Sequence, residues 1–171
     1  MPKRPIAPLV NGRVRLRLIE EADLPMTRAW RNRDDIRQWF LTSGVIAADQ
    51  HRAWYDQYQE RDDDFVFIIE ETETLRRPIG QISIYAIDWH AARATFGRLM
   101  IGDPAARRLG LARLAAARLV DEACDAWHLR QVFLEARVDN SPALAVYKSC
   151  GFHVVGHLTA DVVIMRKDAR P

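Results

Sequence analysis

Residues 107–112 read RRLGLA. Two arginines stand before a glycine, and an alanine-rich stretch runs on from there to Trp127. The spacing predicts a helix from about Gly110 to Trp127. Ala112, Ala116, Leu119, Val120, Ala123 and Trp127 form its buried stripe, and Arg118, Asp121, Glu122 and Asp125 its wet face. The start of a helix presents backbone N–H groups that have no intrahelical partner, together with a positive partial charge. Glycine and alanine at that entrance let an anion approach the backbone closely, and Arg107 and Arg108 add charge. The stretch is chemically a cradle for a pyrophosphate, although taken alone it is more simply explained as a capped surface helix with solvated arginines.

The elements around it decide between the two readings. Upstream, "RVRLRL" at 13–18 alternates Arg13, Arg15 and Arg17 with Val14, Leu16 and Leu18, which predicts a strand with one buried face. From Glu20 to about Trp39 the pattern is helical, with Pro25 near the start and a break at Asn32–Asp35; a second helix is expected over 48–59. "FVFIIE" (65–70) and "IGQISIYAI" (79–87) read as an antiparallel hairpin across a polar turn, and "ATFGRLMIG" (94–102) as a third strand interrupted by Gly97. Downstream, a strand at 131–138 precedes a short helix at 141–149, with Pro142 in its first turn and Gly151 past its end. Two closing strands are expected near 152–155 and 158–166. One helix–strand crossover among hairpins implies an α+β fold built on a mixed sheet, in a single domain over 1–171 without a linker.

Composition narrows the function. The 171 residues carry a formal net charge of +2, so an anion has to be met by a local cluster and a broad nucleic-acid-binding face is not expected. Cys124 and Cys150 form neither a metal pattern nor a disulfide framework, which suits a reducing compartment. The opening "MPKRPIAPLV" lacks the apolar run of a signal peptide, and no stretch approaches membrane-spanning length. The expectation is a cytoplasmic protein with no membrane or nucleic-acid partner and no metal.

The segment "DNSPALAVYKSCGF" (139–152) places Asn140, Ala143, Tyr147 and Gly151–Phe152 at a spacing that complements the glycine loop. With both motifs in order, the chain resembles the GNAT superfamily of acyl-CoA N-acyltransferases over nearly its whole length. That resemblance implies a mostly antiparallel sheet splayed at the acyl-CoA site, with helices on both faces. It implies acetyl-CoA as acyl donor, with Leu99, Met100 and Ile101 pairing with the pantetheine and the loop from Arg107 and Arg108 through Leu109, Gly110 and Leu111 to Ala112 taking the pyrophosphate. It also implies further cofactor contacts from Asn140, Ala143 and Tyr147, with Tyr147 as the general acid that protonates the departing thiolate. A phenol with a pKa of about 10 can serve a thiol of about 8.5. Many relatives carry a glutamate just before Phe-Gly on the central strand. Thr95 stands there, which puts a base at that position in doubt and leaves Glu135 on the next strand as the best carboxylate, alongside its alternative as a salt-bridge partner of Arg137 or another arginine. His51 and His90 have suitable intrinsic pKa values as further candidates.

The acceptor should be decided by residues 29–55. Trp30, Arg31, Asn32, Ile36, Phe40, His51 and Trp54 resemble the nucleotide-amino-sugar N-acetyltransferases of pseudaminic acid biosynthesis. Aromatic faces can stack a base or sugar and arginines can grip a diphosphate. Trp30, Arg31, Asn32, His51, Trp54 and Thr95 are therefore the candidate substrate contacts, set against a plainer reading in which the tryptophans fill the core and the arginines pair with Asp34 and Asp35. The expected partner is a small amine, a nucleotide sugar above all. Alternatives are a protein N-terminus of the ribosomal-protein type and, in another class, a non-catalytic acyl-CoA sensor. Sheet edges leave a homodimer possible.

Overall fold

The hydrophobic alternation that opens the chain builds the first edge of an eight-stranded sheet. The computed structural model describes residues 3–170. Strand β1 (Leu9–Asn11) pairs antiparallel with β2 (Val14–Leu18) through a two-residue turn, whose first residue, Gly12, holds φ at +56°. Val14 and Leu16 are fully buried, while Arg15 and Arg17 reach Glu70 and Arg17 also grips Asp23. Helices α1 (Leu24–Arg31), α2 (Asp34–Arg37) and α3 (Ala48–Gln59) follow, the break between the first two falling where the sequence places it.

Strands β3 (Asp64–Glu71), β4 (Arg77–Asp88) and β5 (Arg93–Ile101) form an antiparallel meander. The turn from β3 to β4 is held by the buried Glu71 carboxylate, which accepts backbone N–H groups from Glu73, Thr74 and Leu75. Helix α4 (Leu111–Asp121) ends in a π-helical turn (Glu122–Ala126) and crosses to β6 (Gln131–Arg137), parallel to β5. Helix α5 (Ser141–Ser149) leads to β7 (His153–Thr159) and β8 (Val162–Asp168). The strand order is β1-β2-β3-β4-β5-β6-β8-β7, a mixed, open sheet with one parallel pair.

Both faces of the sheet are covered. Phe65, Phe67 and Ile69 pack with the α4 residues Ala115, Ala116 and Leu119, while the alternate residues Val66 and Ile68 pack with Tyr55 and Tyr58 of α3. The α4 stripe is shifted slightly from the expected one: Leu111 and Ala115 are buried, and Ala112 and Trp127 are half-exposed. The C-terminal strands are also bounded differently. Gly156 is not a turn but lies inside β7 at a register shift, and the turn falls at 160–161. Among the described residues no helix is long and apolar enough to cross a membrane.

Candidate active site

Two interruptions of the ladder open a cleft in the middle of this sheet. Parallel pairing of β5 with β6 covers Arg93–Thr95 against Gln131–Phe133 and then stops, after which β6 pairs with β8 alone. On its other side β5 bulges against β4. Gln81 faces Met100 and Ser83 faces Gly97, so Arg98 and Leu99 share one partner position, and Arg98 takes φ +52°. The strands part beyond Thr95, leaving one backbone edge of residues 98–101 without a ladder partner. The resulting cleft has a volume of about 890 Å³.

Its donor half gathers Leu99, Met100, Ile101, Arg107, Ala112, Asn140, Ala143 and Tyr147 along one lining. Gly110 takes φ +73° at the N-terminus of α4, and a side chain there would meet open space. Arg108, Leu109 and Gly110 are exposed at the rim beside the lining, and Leu111 is directed into the core. Asn140 caps α5, its side-chain oxygen accepting the Ala143 N–H at 3.4 Å. This set fits acetyl-CoA, combining an unpaired strand edge for an amide-bearing arm with a helix N-terminus and a guanidinium for the phosphates.

The geometry of α5 explains the Tyr-x-x-x-Gly-Phe spacing. The Phe152 N–H donates to the Tyr147 carbonyl at 3.1 Å and the Gly151 N–H to that of Lys148 at 3.0 Å, with Gly151 at φ +89°. This is a Schellman stop, and its apolar contact is the packing of the Phe152 ring on Tyr147, 6.3 Å between centroids. Phe96 meets Tyr147 edge-on at 5.9 Å. The helix terminator thereby fixes the phenol against the cleft wall. Burial pushes the Tyr147 hydroxyl up to about 12, so it stays protonated at neutral pH.

Glu135 is exposed and lines the cleft, and it makes no ion pair among the described residues. Arg137 instead engages Asp139 at 2.9 Å. Tyr85 on β4, which sequence reasoning missed, lines the same cleft and neighbours both Glu135 and Tyr147. Its hydroxyl sits 3.2 Å from where a Gly97 side chain would begin, which accounts for the glycine there. The Arg98 guanidinium covers the Tyr85 ring at 4.1 Å and is held at 2.7 Å by the buried Asp64 carboxylate. No motif marks Tyr85, and only the bulge at Arg98 brings these groups together.

The acceptor half is lined by Arg31, His51 and Trp54, with Ile36, Trp39, Phe40 and Thr42. Arg31 lies 4.0 Å above the Phe40 ring and donates through Nη2 to the Thr42 carbonyl. Its Nη1 is buried with no partner among the described residues, and so is Nδ1 of His51. Burial and then the neighbouring Arg37 lower the Arg31 pKa. Burial, aided by Arg28, likewise lowers that of His51, whose ring stacks on Trp54 at 5.3 Å. The plainer reading of the arginines suits two of the three: Arg33 pairs with Asp35 and Arg37 with Asp34, both at 2.7 Å.

The other expected acceptor residues lie elsewhere. The Trp30 ring packs on Gly102, and the Asn32 amide clamps both backbone groups of Ile46 at 2.8 Å. Thr95 lines a separate depression of about 220 Å³ with Arg93 and Phe133, and His90 is exposed outside the cleft.

The acetyltransferase (GNAT) domain family model matches residues 13–153. The spermidine N(1)-acetyltransferase of Vibrio cholerae serotype O1 is 24% identical over 155 residues, covering 91% of this chain and 87% of that protein. The crystal structure of spermidine N-acetyltransferase from Vibrio cholerae in complex with CoA and spermine superposes with a TM-score of 0.84 at 23% identity, covering 92% and 96% of the two chains. A domain from Methanocaldococcus jannaschii superposes at 0.79 with 18% identity, covering 91% and 97%. The two Vibrio cholerae relatives are spermidine acetyltransferases, so the comparisons carry the acetyltransferase resemblance and not its nucleotide-amino-sugar or ribosomal-protein refinement. With the splayed sheet, the glycine loop and the family match in agreement, the chain belongs to the GNAT acetyltransferase family and is an acetyl-CoA-dependent N-acetyltransferase.

Proposed function

We propose that this enzyme acetylates the primary amine of a small molecule that also carries an anionic group, a nucleotide-linked amino sugar being the member of that class to which residues 29–55 point. The observation that carries the reading is the pair of buried polar atoms, Arg31 Nη1 and His51 Nδ1, without partners among the described residues of the acceptor half. A buried donor without an acceptor costs about 1–3 kcal/mol, more when charged, and a bound anion removes that cost at Arg31. The guanidinium remains cationic despite its lowered pKa. Trp39 and Trp54 offer aromatic faces beside it.

The relatives' substrate supplies the second reading. A polyamine needs carboxylates, and the cleft lining contains two, Asp35 and Glu135. Asp35 already carries two arginines, so Glu135 alone favours a polycation.

The donor, when bound, supplies a thioester carbonyl for attack and a thiolate as leaving group. Glu135 takes the proton from the incoming ammonium, directly or through one water, and leaves the nitrogen lone pair available. The C–N bond forms as the C–S bond breaks, Tyr147 passes its phenolic proton to the departing sulfur, and the second proton of the attacking nitrogen leaves to solvent as the amide forms. Solvent at the mouth of the cleft reprotonates the tyrosine.

The test is thiol release from acetyl-CoA with a nucleotide-linked amino sugar, spermidine and a peptide with a free N-terminus compared side by side. Turnover is expected with the sugar, and Arg31→Gln should raise its KM at least tenfold while the Kd for CoA holds. Turnover with spermidine or peptide alone, or an unchanged KM in the variant, overturns the anionic-acceptor reading and leaves the acetyltransferase assignment in place.

A further inference from the structure

Arg107, the first residue of the glycine loop, is already engaged. Its Nη2 donates to Asp35 Oδ2 at 2.7 Å, across 72 residues of sequence. The same oxygen accepts Arg33 Nη2 at 2.7 Å, Oδ1 accepts Arg33 Nε at 3.0 Å, and Arg33 also donates to the Gly102 carbonyl at 2.6 Å. Asp35 is thus anchored by Arg33 and holds Arg107 by one further bond. The two arginines, Arg33 first, keep its carboxyl well below the usual carboxylate range, so it is ionised at every working pH. Both Asp35 and Arg107 line the cleft, and both are partly open to solvent, at 45% and 39% side-chain exposure. An incoming pyrophosphate therefore meets a cation that a resident carboxylate already occupies.

We propose that Asp35 is a built-in competitor of the donor's pyrophosphate for Arg107, a positioning residue that sets how long donor and CoA product stay bound. When the phosphates arrive, Arg107 turns from Asp35 to them, and Arg33 keeps the carboxylate in place. When CoA departs, the carboxylate recaptures the guanidinium. Because Asp35 belongs to α2, which lines the acceptor half, the exchange also uncouples that helix from the phosphate loop each time donor binds. The inference rests on the reading that Arg107 meets the pyrophosphate, and a four-variant cycle tests the two separately.

CoA binding is measured by titration calorimetry and its dissociation by stopped flow, on the wild type, Asp35→Asn, Arg107→Ala and the double variant. Asp35→Asn is expected to tighten CoA about threefold, the range of a partly exposed ion pair, with slower dissociation. The gain should vanish in the Arg107→Ala background, and Asp35→Glu should restore wild-type affinity. If Arg107→Ala weakens CoA but Asp35→Asn leaves it unchanged or weaker, the carboxylate is not a competitor and the phosphate reading survives. If Arg107→Ala leaves CoA binding unchanged, the phosphate role of Arg107 fails and the inference with it.

Discussion

Replacing Tyr147 by phenylalanine removes one oxygen and little else. The ring's contacts with Phe96 and Phe152 and the helix terminator at Gly151 all survive, since none uses the hydroxyl. No group among the described residues hydrogen-bonds that hydroxyl, so its loss should change stability by less than about 0.5 kcal/mol, or about 2 °C in Tm for a chain of this size. Its chemical contribution is that of a positioned proton donor, roughly 10²-fold or more in rate, which corresponds to about 2.7 kcal/mol of barrier. With the phenol pushed up to about 12, the proton is lost only as pH rises through that value, so Tyr147 should impose no alkaline fall in rate below about pH 11. The assay is single-turnover acetyl transfer, so that CoA release cannot mask chemistry, with CoA Kd and Tm measured alongside. The expected result is a drop of at least a hundredfold with Kd and Tm held. A variant that keeps more than a third of the wild-type rate refutes the acid assignment.

Other outcomes follow from packing and burial. A Cβ on Gly102 would lie 2.0 Å from Cδ2 of Trp30, inside a rigid ring, so Gly102→Ala should lower Tm by about 5–10 °C, the range for overpacking by 2–3 kcal/mol, and Trp30→Leu in that background should recover part of it. His51 has a folded pKa below its unfolded value of about 6.5, so its contribution to stability is present above that pH and is lost as pH falls through the lowered pKa. Thermal melts from pH 7.5 to 5 should therefore fall more steeply for the wild type than for His51→Gln.

The long periodic elements were legible because their patterns are also their packing. Helix α3 and the meander β3–β5 appear within a residue or two of where alternation and helical spacing place them. The three residues of β1 are too few to show a period, and the insertion of β8 between β6 and β7 is a pairing choice that local sequence does not encode. In the site, the motif residues Gly110, Asn140 and Gly151 were legible because each answers to a backbone requirement: a left-handed turn, a helix cap and a helix stop. The acceptor half was less legible. Trp30 and Asn32 look like ligand contacts in composition, yet one fills the space over a glycine and the other fastens a loop. Tyr85 and Asp35 are ordinary in sequence and gain their significance from a bulge and from an ion pair spanning 72 residues.

The parting of β5 and β6 also divides the molecule mechanically. Among the described residues, sheet hydrogen bonds cross from the first five strands to the last three at one end only, around Ala92–Thr95 and Arg130–Phe133. Phe96 still packs across the seam on Tyr147 and Phe152, yet so slender a hydrogen-bonded join predicts that the C-terminal third opens at less than the free energy of global unfolding. Amide protons in β6 and β8 should then exchange faster than those in β3 and β4, and CoA seated across the seam should slow them. On that outcome, the wedge proposed for the donor is also the line along which the enzyme first comes undone.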